Sequence, residues 1–193
     1  MPPVVAVLVD RPDASSGLAA EIGLPHAMRL QRLLLQRALG AAESAGIAPT
    51  LWFRPPDARA TIQQWLGDTV DLRPQASGGL GARIAAAAAG AALPAGWLVI
   101  TRAAPGLETA LPQAIGLLPE APYVIGPSAD GGCYLVGGRS PVFAALRELE
   151  SAGPGALDAL RSGLRAAHHS WRECAVLPPL ECASDARAAR LLS

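Results

Sequence analysis

Short β-prone apolar runs alternate with longer stretches of helical periodicity along this chain, and few folds can satisfy that alternation. Strands buried on both faces read as near-continuous apolar runs, and "VVAVLV" and "WLVI" are runs of that kind. The pattern predicts strands over 4–9, 50–53, 69–72, 97–101, 123–125, 133–136 and 174–177. Between them the spacing predicts helices: one opened by Pro25 and carrying Leu30, Leu33, Leu34 and Ala38, then 57–66 with Asp57 as N-cap, 80–93, 107–117, 142–150 and 156–167. The fold class expected is α/β, a three-layer α/β/α sandwich around a mostly parallel, Rossmann-like sheet of about seven strands. A length of 193 residues suits one domain spanning 1–193.

Composition excludes several function classes. Charged residues make up 17% and the formal net charge is zero, so no electrostatic footprint for nucleic acid or anionic lipid exists. All sixteen basic residues are Arg, which removes lysine nucleophiles, Schiff bases and the P-loop lysine. The apolar start lacks a basic leader and a cleavage site, and no run reaches about 18 apolar residues, so a cytoplasmic protein with no membrane span is expected. Cys133, Cys174 and Cys182 are odd in number and widely spaced, as reduced thiols would be. An apolar surface with little charge suits self-association into a homo-oligomer.

Two glycine-rich stretches carry the candidate chemistry. "GGLGAR", 78–83, stands where a helix begins, and bare amides there would let Gly79 and Gly81 approach phosphate, with Arg83 offsetting charge. An ordinary loop is the alternative. "TRAAPGL", 101–107, follows the run "WLVI" at the sheet edge where α/β proteins bind ligands, and Arg102 is its one anion-binding side chain; a plain strand-to-helix loop with a proline is the alternative. "IGPSADGGCYLVGG", 125–138, places Gly126, Pro127, Asp130, Gly131 and Gly132 within seven residues. A hairpin needs only one Asp-Gly pair, so the extra glycine points to a backbone shaped to fit something. His26, His168 and His169 read as surface or capping residues, and Cys133 as a small buried strand residue.

Taken in chain order, "SGGLGARI", "WLVITRAAPGL", "VIGPSADGGCYLVGG" and "CAVLPPL" resemble the bacterial domain of unknown function 2064. That family is similar to glycosyltransferases of the A type and to the guanylyltransferases of molybdenum-cofactor and deazaflavin-cofactor synthesis. The resemblance implies a fold of the nucleotide-diphospho-sugar transferase type and a nucleotide or nucleotide-sugar bound at the carboxyl edge of the sheet. It implies transfer of a glycosyl or nucleotidyl group. Asp130 is the implied catalytic residue and metal ligand, for Mg or Mn. Gly79, Gly81, Arg83, Arg102, Gly126, Pro127, Gly131 and Gly132 are the implied substrate-binding set.

The departures from the family bear on mechanism. Ser15, Ser16, Gly17 and Leu18 stand where the family carries a Lys-Thr-Arg-Leu run, and Ala103 stands where it carries an acid. Cys182, Ala183 and Ser184 replace an Asp-x-Asp pair after "LPPL". Asp10, Asp13 and Asp185 are the acids left to recruit around a cation. Three readings therefore stay open: a transferase that has lost most metal and diphosphate ligands, a catalytically inactive member serving as a small-molecule-binding or protein-interaction module, and a metal-free enzyme acting on a different donor with Arg as its only charge source.

Overall fold

Alternation along the first strand decides which residue faces which layer. In β1 (Val4–Asp10), Val5, Val7 and Val9 point into one core while Ala6 and Leu8 point into another. Both faces are covered, which is why the run is apolar throughout. The computed structural model describes residues 2–11, 16–89, 95–142 and 144–192. Among them β2 (Thr50–Arg54), β3 (Asp71–Pro74), β4 (Trp97–Ile100), β5 (Tyr123–Pro127), β6 (Cys133–Gly138) and β7 (Trp171–Glu173) join β1 in one sheet of order β3-β2-β1-β4-β6-β5-β7. Only β6 runs antiparallel to its neighbours.

The helices are α1 (Gly17–Ile22), α2 (Leu24–Ser44), α3 (Arg59–Leu66), α4 (Leu80–Ala88), α5 (Leu107–Leu117), α6 (Ala144–Arg147), α7 (Ala156–Ala166) and α8 (Ala183–Ala188). Leu35 and Leu39 of α2, Ile62 of α3 and Leu111 of α5 bury against Val5, Val7 and Val9. On the other face Ile84 of α4 packs with Leu157, Leu160 and Leu164 of α7. Each such burial contributes roughly 1.5–3 kcal/mol. The result is the three-layer, mostly parallel arrangement the periodicity predicts. No helix among the described residues is long and apolar enough to cross a membrane.

Several boundaries differ from expectation for identifiable reasons. β3 starts at Asp71 rather than Thr69, because its parallel register sets Thr50 opposite Asp71. β7 occupies Trp171–Glu173 instead of 174–177, and Leu177 keeps only an isolated bridge to Ser128. An edge strand of alternating half-exposed residues carries no apolar run to reveal it. Asp57 does not cap α3 with its side chain; its carboxylate pairs with Arg11 at 3.0 Å. The helix expected over 142–150 is a single turn at Ala144–Arg147. α1 and α8 are helices absent from the sequence reading, and the expected end of α4 near Leu93 lies outside the described residues.

Thiol chemistry follows from this packing. Burial pushes Cys133 up to about 11 and Cys174 up to about 11, whereas Cys182 is half-exposed at the start of α8. Thiolate is the reactive form. At pH 8 the native protein is expected to titrate one thiol rapidly with an aromatic disulfide reagent, and all three after denaturation. Two or more fast thiols in the native state would contradict the packing around β6.

Candidate functional site

Strand order reverses at β1: the chain steps outward through β2 and β3, then returns to the opposite side of β1 at β4. Such a reversal opens a crevice above the carboxyl ends of the strands. Two adjoining hollows occupy that edge, about 890 Å³ and about 680 Å³. Both are lined by Asp10 at the end of β1, Arg54 at the end of β2, Thr101 and Arg102 just past β4, and Glu181. The first hollow adds an apolar wall from Leu34, Leu35 and Tyr134. The second adds Gly78, Gly79, Arg83 and the stretch 150–153.

Around Asp10 the charges are interlocked. Its carboxylate pairs with Arg54, accepts from Gln75 Nε2 at 3.0 Å, and lies 3.4 Å from Arg83 Nη1. Arg83 Nη1 also donates to Gln75 Oε1 at 2.8 Å. Burial lowers the pKa of the Arg83 guanidinium from its ordinary value, with Asp10 acting against it. The group stays charged regardless. Its Nε is buried without a hydrogen-bond partner.

Asp130 belongs to a second interlocked group. The β5–β6 hairpin closes with Ser128 N donating to Gly132 O at 2.9 Å and Gly131 N to Ser128 O at 3.0 Å, and Gly131 takes φ +81°. Asp130 Oδ1 accepts from Gly132 N at 3.0 Å, and Oδ2 accepts from Arg102 Nη1 at 2.9 Å. Burial alone would raise the Asp130 pKa. The Gly132 N–H, the Ser128 hydroxyl and the Arg102 guanidinium outweigh it and hold the carboxyl below its ordinary value. Arg102 then reaches outward, Nη2 lying 3.3 Å from Glu181 Oε1.

The extra glycine of the hairpin fits the protein's own backbone. A Cβ on Gly132 would stand 2.2 Å from the Ala152 carbonyl oxygen, which accepts from Cys133 N and from Arg102 Nη1. Gly126 faces the Tyr134 ring, which a Cβ would meet at 2.5 Å, and the Pro127 carbonyl accepts from Leu177 N. Neither hollow is lined by Gly126, Pro127, Asp130, Gly131 or Gly132. At the other glycine stretch, Leu80 N donates to Glu150 O at 3.0 Å and Gly81 N to Leu149 O at 2.6 Å. Two of the amides at this helix start thus bond to the chain itself. Gly81 packs against α6, while Gly79, Arg83 and Arg102 line the second hollow.

Arg54 and Glu181, absent from the sequence-based set, complete the shared floor. Arg54 ends a parallel strand at the edge where ligands sit, a positional signal that sequence offers; Glu181 in "LPPLE" offers none. Ser16 caps α1, accepting from Ala19 N at 3.3 Å, and Asp185 caps α8, accepting from Glu181 N at 2.9 Å. Asp13 and Ser15 lie outside the described residues.

A divalent cation needs several oxygen ligands free of other charges. Asp10 is held by Arg54, Gln75 and Arg83, Asp130 by Arg102 and Gly132, and Glu181 faces Arg102. Among the described residues no group of three His, Cys, Asp or Glu side chains could hold a metal ion. Asp10, Asp130 and Glu181, paired as they are, do not fit Mg or Mn; Glu150, on the wall of the second hollow, has no ion-pair partner among the described residues.

Solved structures share the fold at low identity. A Desulfovibrio desulfuricans protein assigned to the nucleotide-diphospho-sugar transferases superposes with a TM-score of 0.76 at 20% identity, covering 93% of this chain and 82% of that one. Rv0371c of Mycobacterium tuberculosis, as a manganese complex, gives 0.55 at 16% identity over 97% of both chains. CMP:2-keto-3-deoxy-manno-octonic acid synthetase, complexed with CTP, gives 0.52 at 13% identity over 98% of this chain and 99% of that one. No curated protein matches the chain. Residues 36–151 match the family described as "Uncharacterized protein conserved in bacteria (DUF2064)", and the chain belongs to that family.

Proposed function

We propose that this protein binds a nucleotide or nucleotide-sugar in the paired hollows above the carboxyl ends of β1, β2 and β4. The observation that carries the reading is the shared floor of Asp10, Arg54, Thr101 and Arg102 at the point where strand order reverses. An apolar wall beside guanidinium groups suits a ligand with an apolar face and an anionic tail. The fold of the Desulfovibrio protein and of the CTP-bound synthetase supports the same ligand class. Here Arg102 meets the anion and Asp130 positions Arg102 from behind.

CTP, GTP and UDP- and GDP-sugars, each in a melting experiment, test the proposal. A bound ligand at about one hundred times its Kd adds roughly 2.7 kcal/mol, or roughly 5–11 °C in Tm for a chain this size. No shift with any of them at millimolar concentration would remove the reading. A second reading, binding without turnover, is favoured by Ala103 in the wall of the first hollow, where the family's acid is missing. Incubation of a stabilising nucleotide-sugar with protein separates the two. Release of free nucleotide supports the transferase; binding without release supports the inactive module.

A further inference from the structure

The donor set that fails to fit a metal makes sense as a set of cations. Arg54, Arg83 and Arg102 reach the floor shared by the two hollows or the wall next to it from three different elements, the end of β2, helix α4 and the loop after β4. Arg83 is fixed in place: 9% exposed, its Nη1 is held by Gln75 at 2.8 Å, and its Nε–H has no acceptor. Arg102 is fixed from behind by Asp130 and the Ala152 carbonyl. Guanidinium forks match paired phosphate oxygens and cannot lose their charge.

We propose that Arg54, Arg83 and Arg102 form an anion site that takes the diphosphate of the ligand without a divalent cation, and that Glu181 holds the place of that anion when the site is empty. The proposal rests on the binding reading above and adds the chemistry by which the charge is met. The carboxylates beside these guanidiniums are Asp10, Glu150 and Glu181 along the hollows, with Asp130 behind Arg102. The guanidiniums are already balanced, so an anion enters in exchange for one of these carboxylates. Glu181 is the exchangeable partner: its side chain is 59% exposed and it stands at 3.3 Å from Arg102 Nη2. Displaced by phosphate oxygens, it would swing into water at little cost, whereas Asp10 is held by three partners.

The test uses inorganic pyrophosphate by calorimetry in EDTA, with Mn²⁺ alone followed separately by its electron paramagnetic resonance signal. Pyrophosphate is expected to bind in EDTA, and the protein to leave the free Mn²⁺ signal undiminished. Glu181→Gln should tighten pyrophosphate several-fold by freeing Arg102, while Arg83→Met should weaken it about tenfold or more. Should Arg83→Met fail to fold, Glu181→Gln still decides, since an inert ion-pair cluster gives no change or a loss. Pyrophosphate that binds only with added Mg²⁺, or not at all, overturns the proposal, as does a Mn²⁺ signal quenched by the protein. Pyrophosphate binding with no response to any nucleotide would instead retire the nucleotide reading and leave this site standing.

Discussion

Gly81→Ala is expected to destabilise the protein by about 3 kcal/mol, lowering Tm by roughly 6–12 °C, the upper end of overpacking costs. A Cβ at this position would stand 1.9 Å from the Leu146 carbonyl oxygen and 2.8 Å from the Arg147 backbone. These are main-chain atoms of α6, so no rotamer change can clear the space. Moving α6 away would also stretch the 2.6 Å bond from Gly81 N to Leu149 O and disturb Leu146, which is fully buried. Gly40 in α2 provides the control, because a Cβ there meets nothing within 4 Å. Gly40→Ala should gain roughly 0.5–1 kcal/mol from helix propensity, so the two substitutions differ in sign. Equal melting temperatures for the two variants would mean that α4 and α6 do not pack as described.

Arg102→Met should cost about 2–3 kcal/mol, the penalty for leaving a largely buried carboxylate without its cation. Arg102 and Asp130 side chains are 19% and 17% exposed, so solvent screens this pair only weakly. The loss should depend on pH. Because the Asp130 carboxyl is held below its ordinary value in the folded state, its contribution is present above the ordinary carboxylate range. That contribution disappears as pH falls through the folded-state value. Arg102→Met should therefore look worst near neutrality and approach the parent protein in acid. Adding Asp130→Asn to Arg102→Met should recover part of the loss, a coupling that urea denaturation can read. Strictly additive losses, unchanged from pH 7 to pH 3, would show that the two side chains do not act as a pair.

Legibility of the fold varied with how far each element depends on distant partners. α5 begins at Leu107 and ends at Leu117 as its periodicity predicts, because Pro105 blocks an earlier start and Gly106 turns the chain with φ +89°. β1, β2, β4, β5 and β6 begin where their apolar runs begin. β3 and β7, at the two edges of the sheet, are displaced, since register with β2 and β5 positions them and their own sequences do not.

The candidate site divides the same way. Arg102 follows an apolar run at the sheet edge, and the sequence alone marks it. Gly132 also stands out in sequence, but what it accommodates is the Ala152 carbonyl, a group twenty residues away in the chain. The Leu80 and Gly81 amides look like part of an open anion site until Glu150 and Leu149 are seen to accept from them.

The sequence by itself determined the α/β class, the starts of the five central strands and the absence of any lysine chemistry, because periodicity and composition are local properties that each segment carries with it. Only the tertiary structure decided that Arg54, Arg83, Arg102 and Glu181 share one crevice, and that Asp10, Asp130 and Glu181 are already paired. The reason is physical: an ion pair or a backbone contact is fixed by distances of a few ångströms between segments that strand order brings together, and no single segment encodes them.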